Sequence, residues 1–236
     1  MILPDLSQRR LQSELMDDSD LDPRRHHGAL RALETINALS WSAGRIWKEV
    51  LRLSRTRDQP IRVLDLACGG GDIVHALQRR AASAGLSVEI HGCDRSRVAL
   101  DFARARKTQR GPAIEFFELD LLDSPLPDDY DLLCCSLFFH HLRREDLVDL
   151  LTRMSRAAPA VFAQDLLRTS VGHLLARVAL HVFTTSDVAR VDGLRSVEGA
   201  FTLTEIAEIA ETAGLRGVDI QRCWPQRFSM SWRRAG

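Results

Sequence analysis

The segment that most limits how this chain can fold is Val63-Leu64-Asp65-Leu66-Ala67-Cys68-Gly69-Gly70-Gly71-Asp72, an apolar run that breaks into glycines before a helix-like pattern begins. Glycine is needed where the backbone takes unusual φ/ψ and approaches a ligand closely, and the first turn of a helix offers unpaired N–H groups. A nucleotide-like ligand suits such a turn. Two familiar loops do not fit. A dinucleotide fingerprint needs Gly-x-Gly-x-x-Gly/Ala, and counting from Gly69 through Gly71 puts Val74 at its last position. A phosphate-binding Walker loop needs Gly-Lys-Ser/Thr after the turn, and none follows.

From Ile61 onward, strand-like and helix-like runs alternate. Strands are expected at about 61–67, 88–94, 114–119, 131–137 and 160–165, with helices near 72–84, 96–108 and 143–156. Alternation of this kind predicts a parallel sheet with helices on both faces. Thr202-Leu203-Thr204-Glu205 reads as a capping box opening a helix that ends at Gly214. Strand-like pieces at about 217–223 and 227–233 flank Trp224-Pro225-Gln226, so the last strand is expected to run antiparallel. The fold class is therefore α/β, a Rossmann-like seven-stranded, mostly parallel sheet. Residues 1–58 read as an N-terminal helical lid or extension and 59–236 as the ligand-binding domain, joined by a polar stretch from Arg52 to Pro60. In the first part, Asp22-Pro23 opens one helix, with Leu30, Leu33, Ile36 and Asn37 on one face, and Ser40 or Ser42 opens another.

The glycine segment resembles the first motif of the class I S-adenosylmethionine-dependent methyltransferases, an acidic residue followed by small-x-Gly-x-Gly, here Asp65, Ala67, Gly69 and Gly71. Ala67 stands where that family usually has glycine. Three further elements follow in the family's order. The second strand ends at Asp94, whose carboxylate could accept both hydroxyls of an adenosine ribose. The third ends in Glu118-Leu119-Asp120-Leu121, and the resemblance implies that Asp120 takes the adenine amine and the Leu121 N–H a ring nitrogen. The fourth runs into Ser136-Leu137-Phe138-Phe139-His140-His141, like the family's histidines after that strand. The resemblance spans about 58–234 and implies S-adenosyl-L-methionine as cofactor, held by Asp65, Ala67, Cys68, Gly69, Gly71, Asp94, Arg95, Asp120, Leu121 and Ser136.

Methyl transfer chiefly requires acceptor, methyl carbon and sulfur in line with water excluded, so a base is optional. For a hydroxyl acceptor, an imidazole suits the task. His140 and His141 are the first candidates, and Asp165, expected to face the same crevice, could orient a substrate with Arg168. Capping or packing roles compete with each of these. A helix over Val171 to Phe183 would carry His173, Arg177 and His181 as one polar stripe and could roof the acceptor pocket, or be a surface helix with that stripe solvated. Met16, Arg25 and Trp41 could line the site from the lid.

Composition narrows the chemistry. Lys+Arg and Asp+Glu both total 32, giving zero formal charge, which argues against duplex nucleic acid as a partner. The opening Met1-Ile2-Leu3-Pro4-Asp5 has no basic stretch leading into an apolar run, and no stretch approaches about 20 apolar residues, so neither a signal peptide nor a membrane span is expected. The five cysteines show no CxxC pair or Cys/His zinc spacing, so no metal site is expected and a reducing cytoplasm is the natural setting. The reading is a small-molecule methyltransferase, resembling quinone-pathway and polyketide-type enzymes that methylate oxygen of a phenolic, quinone-like or polyketide-like acceptor; a homodimer is allowed for. The alternatives are an RNA or protein methyltransferase, or a cofactor-binding protein of the same fold without catalysis.

Overall fold

The computed structural model describes residues 4–18, 20–55, 59–106 and 113–234. Residues 56–58 of the expected linker, 107–108 of the helix expected at 96–108 and Met1–Leu3 lie outside the described residues. Seven strands form one sheet: β1 (Ile61–Leu66), β2 (Val88–Asp94), β3 (Glu115–Glu118), β4 (Leu132–Ser136), β5 (Ala160–Leu166), β6 (Asp219–Cys223) and β7 (Arg227–Arg233). Their order is β3-β2-β1-β4-β5-β7-β6, and only β7 runs against its neighbours. The antiparallel last strand expected from the sequence is therefore present, reached through the turn at Trp224-Pro225-Gln226.

Eight α-helices accompany the sheet among the described residues: α1 (Pro23–Leu39), α2 (Ser42–Ser54), α3 (Asp72–Ala84), α4 (Arg97–Arg104), α5 (Arg144–Ala157), α6 (Ser170–Phe183), α7 (Asp187–Gly199) and α8 (Leu203–Thr212). The central strands bury both faces by alternation. Leu132 and Cys134 of β4 point into a core shared with α2, α3 and α4, while Leu133 and Cys135 point into one shared with α5 and α8. Side chains so covered on both sides explain why these runs are continuously apolar. The four cysteines Cys68, Cys93, Cys134 and Cys135 are buried here as small apolar side chains, and Cys223 is half-buried.

Residues 1–58 divide by role. Ile46, Trp47 and Val50 of α2 pack into the sheet's own core. The buried Ala29 and Ala32 of α1 instead join Leu180 of α6 and Val188 of α7 in a third cluster, with Leu15 and Met16 against it. Helix α7 carries no clear apolar periodicity, because Asp192, Gly193 and Gly199 interrupt it, and the sequence reading does not anticipate it. Its buried Asp192 accepts the backbone N–H groups of Leu15 (2.7 Å) and Met16 (3.0 Å) and so fixes the segment before α1 as a strap.

Candidate cofactor and acceptor site

The strand order reverses direction between β1 and β4, and open α/β sheets take ligands outside the carboxyl ends of strands at such a point. A cavity of about 470 Å³ lies there. Its floor is the turn after β1, where Ala67 (φ 53°), Gly69 (φ 51°) and Gly71 (φ 68°) all adopt the left-handed region. Alanine in that region is strained by about 1–2 kcal/mol, which marks Ala67 as held there by its surroundings. At Gly71 a Cβ would come within 2.9 Å of Ala103 and of the Phe116 ring, so this turn admits no side chain.

Carboxylates ring the cavity. Asp94 accepts the Gly69 N–H at 2.8 Å with one oxygen and the Ser96 N–H at 2.8 Å with the other, so it ties the end of β2 to the glycine turn and keeps lone pairs for a ligand. Burial raises its pKa, with the two N–H bonds pulling the other way. Burial also lifts Asp65, at 2% exposure, well above the usual carboxylate value, and nearby Asp72 adds to the rise. Asp72 itself is raised by burial, while Asn37 of α1 donates to it at 3.1 Å. Asp120 lines the same cavity and accepts the Leu122 N–H at 2.9 Å. Among the described residues, no Lys or Arg forms an ion pair with Asp65, Asp72 or Asp94, although Arg95 lies near enough to Asp94 to lower its pKa.

The other end of the cavity is built by a short 3-10 turn, Phe139–His141, after β4. The Asp165 carboxylate, at the end of β5, bonds the His140 backbone N–H at 3.0 Å and lies 2.7 Å from its Nδ1. Nε2 of His140 lies 3.6 Å from Glu14 of the strap. Burial by itself lowers the His140 pKa, but the two carboxylates outweigh it and push it up to about 10, so the ring is an imidazolium at neutral pH. His141 differs. It lines the cavity, a quarter of its side chain is exposed, and burial together with the charge on His140 lowers its pKa. The shift favours the uncharged ring, whose Nε2 lies 3.8 Å from Glu14 and whose Nδ1 lies 3.8 Å from Asp17. Glu14, His140 and His141 bring three possible ligand atoms within 4.8 Å of one another.

The strap that supplies Glu14 is tied down along its length. Arg9 donates to the carbonyls of Gly199 (2.5 Å) and His140 (3.0 Å), Ser196 donates to Glu14 at 2.5 Å, and Arg95 donates to Asp17 at 2.7 Å. Leu30, Leu33 and Asn37 of α1 cover the glycine turn from the same side.

Residues 63–159 match the family described as methyltransferase domain. A 2-phytyl-1,4-naphtoquinone methyltransferase of Synechococcus elongatus is 36% identical over 94 residues, 39% of this chain and 39% of that protein. A ubiquinone biosynthesis O-methyltransferase of Cupriavidus pinatubonensis is 26% identical over 163 residues, 68% of this chain and 62% of that protein. The chain thus spans about two fifths of the length of the first relative and under two thirds of the second. The solved plantazolicin methyltransferase in complex with SAH shares the fold, with a TM-score of 0.58 at 14% identity over 93% of this chain and 88% of that one.

Within the matched segment, the structure brings Asp65, Ala67, Cys68, Gly69, Asp94, Arg95, Asp120, Leu121 and Ser136 to the one cavity, with Gly71 shaping the turn beneath it. His141 joins them. Three expectations are corrected. His140 is 5% exposed and protonated, because two carboxylates enclose it, so it does not present a base to the cavity. Asp165 does not face the crevice; it is 1% exposed and spent on His140. Arg168 points away to Glu205, donating at 2.8 and 2.9 Å, and to the carbonyls of Leu6 and Ala200. Of the lid residues, Met16 lines the cavity, whereas Arg25 pairs with Asp187 and Trp41 is 73% exposed. Sequence reasoning missed Glu14, Asn37 and Asp72 as site residues. Asp72 sits inside the glycine motif and Asn37 is a polar residue on the apolar face of α1, so both carry a signal; Glu14 carries none that is local.

Proposed function

We propose that the protein transfers a methyl group from S-adenosyl-L-methionine to oxygen of a small phenolic, quinone-like or polyketide-like acceptor in the cytoplasm. The observation that carries this reading is the cluster of Asp65, Asp72 and Asp94 at the glycine turn. Burial raises all three carboxyls and no ion pair satisfies them among the described residues, which fits a cofactor with an ammonium and a sulfonium. Asp94 would accept the ribose hydroxyls, Asp120 and the Leu121 N–H would meet the adenine edge, and Asp65 would face the amino-acid portion. Ala67, Cys68, Gly69 and Gly71 would form the floor, and Ser136 and Arg95 the rim. When bound, the cofactor supplies a methyl group on a good leaving group. The chain's part is to exclude water beneath the strap and α1, to align the acceptor, and to take its proton on His141. The names of the relatives, a naphthoquinone and a ubiquinone-pathway enzyme, support a quinone-like acceptor, and the zero net charge supports a small molecule over RNA. In this reading 59–236 is the cofactor-binding domain and 1–58 its lid and extension.

The test is calorimetric titration of S-adenosylmethionine and of NADH into the wild type and Asp94→Ala, followed by a phenolic-acceptor assay for S-adenosylhomocysteine release. Binding of the methyl donor alone, weakened about tenfold or more in the variant (about 1.4 kcal/mol), and release that His141→Asn slows, are expected. Binding of NADH alone, or of neither, overturns the cofactor assignment. Donor binding without release on any phenol, while RNA or protein becomes methylated, overturns the acceptor class.

A further inference from the structure

Helix α6 exposes apolar side chains as well as part of its polar stripe. Arg177 and His181 are exposed, whereas His173 is buried at 4% exposure and Leu180 is buried against α1 and α7. The orientation is fixed, because a Cβ at Gly172 would lie 2.8 Å from Thr169 Oγ1 and 3.2 Å from the Leu167 carbonyl. Outward face Val171, Leu174, Leu175, Val178 and Val182, with exposures from 37% to 68%. At about 3.6 residues per turn these five fall within an arc of roughly 100°, one continuous apolar strip along the outer surface.

Helix α6 contains no Asp or Glu, and Arg177 and His181 lie along one edge of its exposed apolar strip. At its C-terminal end, Arg190 donates to the carbonyls of Leu180 (3.3 Å), His181 (3.3 Å) and Thr184 (2.7 Å), placing a further cation there. The nearby Asp187 is neutralised by Arg25 at 2.6 Å. Near the N-terminal end stand two tryptophans, Trp41 at 73% and Trp224 at 68% exposure. Thr169, the N-cap, bonds Gln226, and Arg45 donates to the carbonyls of Ser40 and Trp224, which ties both tryptophans to this corner.

We propose that α6 docks the protein on an anionic lipid surface, lying in the headgroup plane with its apolar strip in the acyl boundary. An apolar face edged by cations and tryptophans has the chemistry of an interfacial helix. The size of the strip argues against a second copy of the chain as its occupant. Fourteen residues make a helix about 21 Å long, so the strip covers on the order of 200 Å², against about 800 Å² per partner in a stable complex. No described helix is long and apolar enough to cross a membrane, so contact would be from one side. The inference is independent of what the cavity binds.

The experiment is co-sedimentation of the full chain with vesicles of phosphatidylcholine alone and of equal parts phosphatidylcholine and phosphatidylglycerol. The wild type should partition onto the anionic vesicles and weaken as salt rises. Val178→Glu/Val182→Glu, which alters exposed side chains and leaves the cavity untouched, should lose about tenfold or more of that partitioning while keeping its melting temperature. Failure of the wild type to bind anionic vesicles, or equal binding by the double variant, overturns the proposal. So does a wild-type dimer at micromolar concentration that the double variant abolishes, since the strip would then be a self-interface.

Discussion

Replacing Gly71 by alanine should be the most damaging single-methyl change in the protein, and two other glycines separate its causes. Gly85, which ends α3, has φ 64° and nothing within 4 Å of an added Cβ, so Gly85→Ala tests backbone conformation alone at about 1–2 kcal/mol. Gly92, in β2, would place a Cβ 2.8 Å from Cys68 Sγ and 3.0 Å from the Phe116 ring without a left-handed backbone, so Gly92→Ala tests overpacking alone at about 1–3 kcal/mol. Gly71 carries both penalties: φ 68° and contacts of 2.9 Å to Ala103 and Phe116, none of which can swing aside in a closed core. Its cost should be about 2–5 kcal/mol by addition. Urea denaturation followed by circular dichroism gives these values from the shift in midpoint at constant slope. Gly71→Ala should also weaken binding at the cavity, and Gly85→Ala should not. If Gly71→Ala costs no more than Gly85→Ala, the turn has room to relax and the close-packed account of the cavity floor is wrong.

Two further outcomes are expected. Glu205→Ala removes the partner of Arg168, whose side chain is 3% exposed, and half of the capping box with Thr202; it should cost about 3 kcal/mol, and Arg168→Met/Glu205→Leu should recover part of that, as measured by chemical denaturation. Asp165→Asn should flatten the alkaline pH dependence of stability: the folded-state pKa of His140 lies above the unfolded value of 6.5, so its contribution is complete below 6.5 and is lost as pH climbs to about 10, and a wild-type denaturation midpoint that does not fall across that window contradicts the charged His140.

The parts legible in the sequence are those governed by local rules. All seven strands fall within about two residues of their expected positions; the central ones, buried on both faces, are largely apolar, and the turns between strands need their own residue types. The capping box at Thr202 and Glu205 forms with both bonds in place. The cavity residues Asp65, Gly69, Asp94 and Asp120 were readable because each stands at a strand's end, where topology alone brings them together. What could not be read depends on pairing at long range. Asp165 resembles a residue facing the crevice until β5 places it beside His140, and Arg168 resembles a substrate ligand until α8 brings Glu205 to it. Glu14 reaches the site only because Asp192 of an unanticipated helix holds the strap. In α6, periodicity marks the polar stripe but not that His173 is buried while Val171, Val178 and Val182 are exposed.

His140 and His141 are adjacent in the chain, with ring centroids 4.3 Å apart, and their surroundings drive their proton affinities in opposite directions. Such divergence is how one site holds both a fixed charge and a base. His140, clamped by Asp165 and Glu14, keeps its proton, and its charge in turn depresses His141. If His141 takes the acceptor's proton, kcat/KM for methyl transfer should rise through a pKa below 6.5 and then level off. Asp165→Asn removes the larger source of the His140 charge. The repulsion on His141 then weakens by more than the small attraction lost from Asp165 itself, and the acid limb should move to higher pH, toward 6.5. A change that acted through folding alone would lower the rate at every pH and leave the limb where it was. A limb that stays fixed in Asp165→Asn while the protein remains folded would mean that the two rings titrate independently, and that the base, if one is used, is not His141.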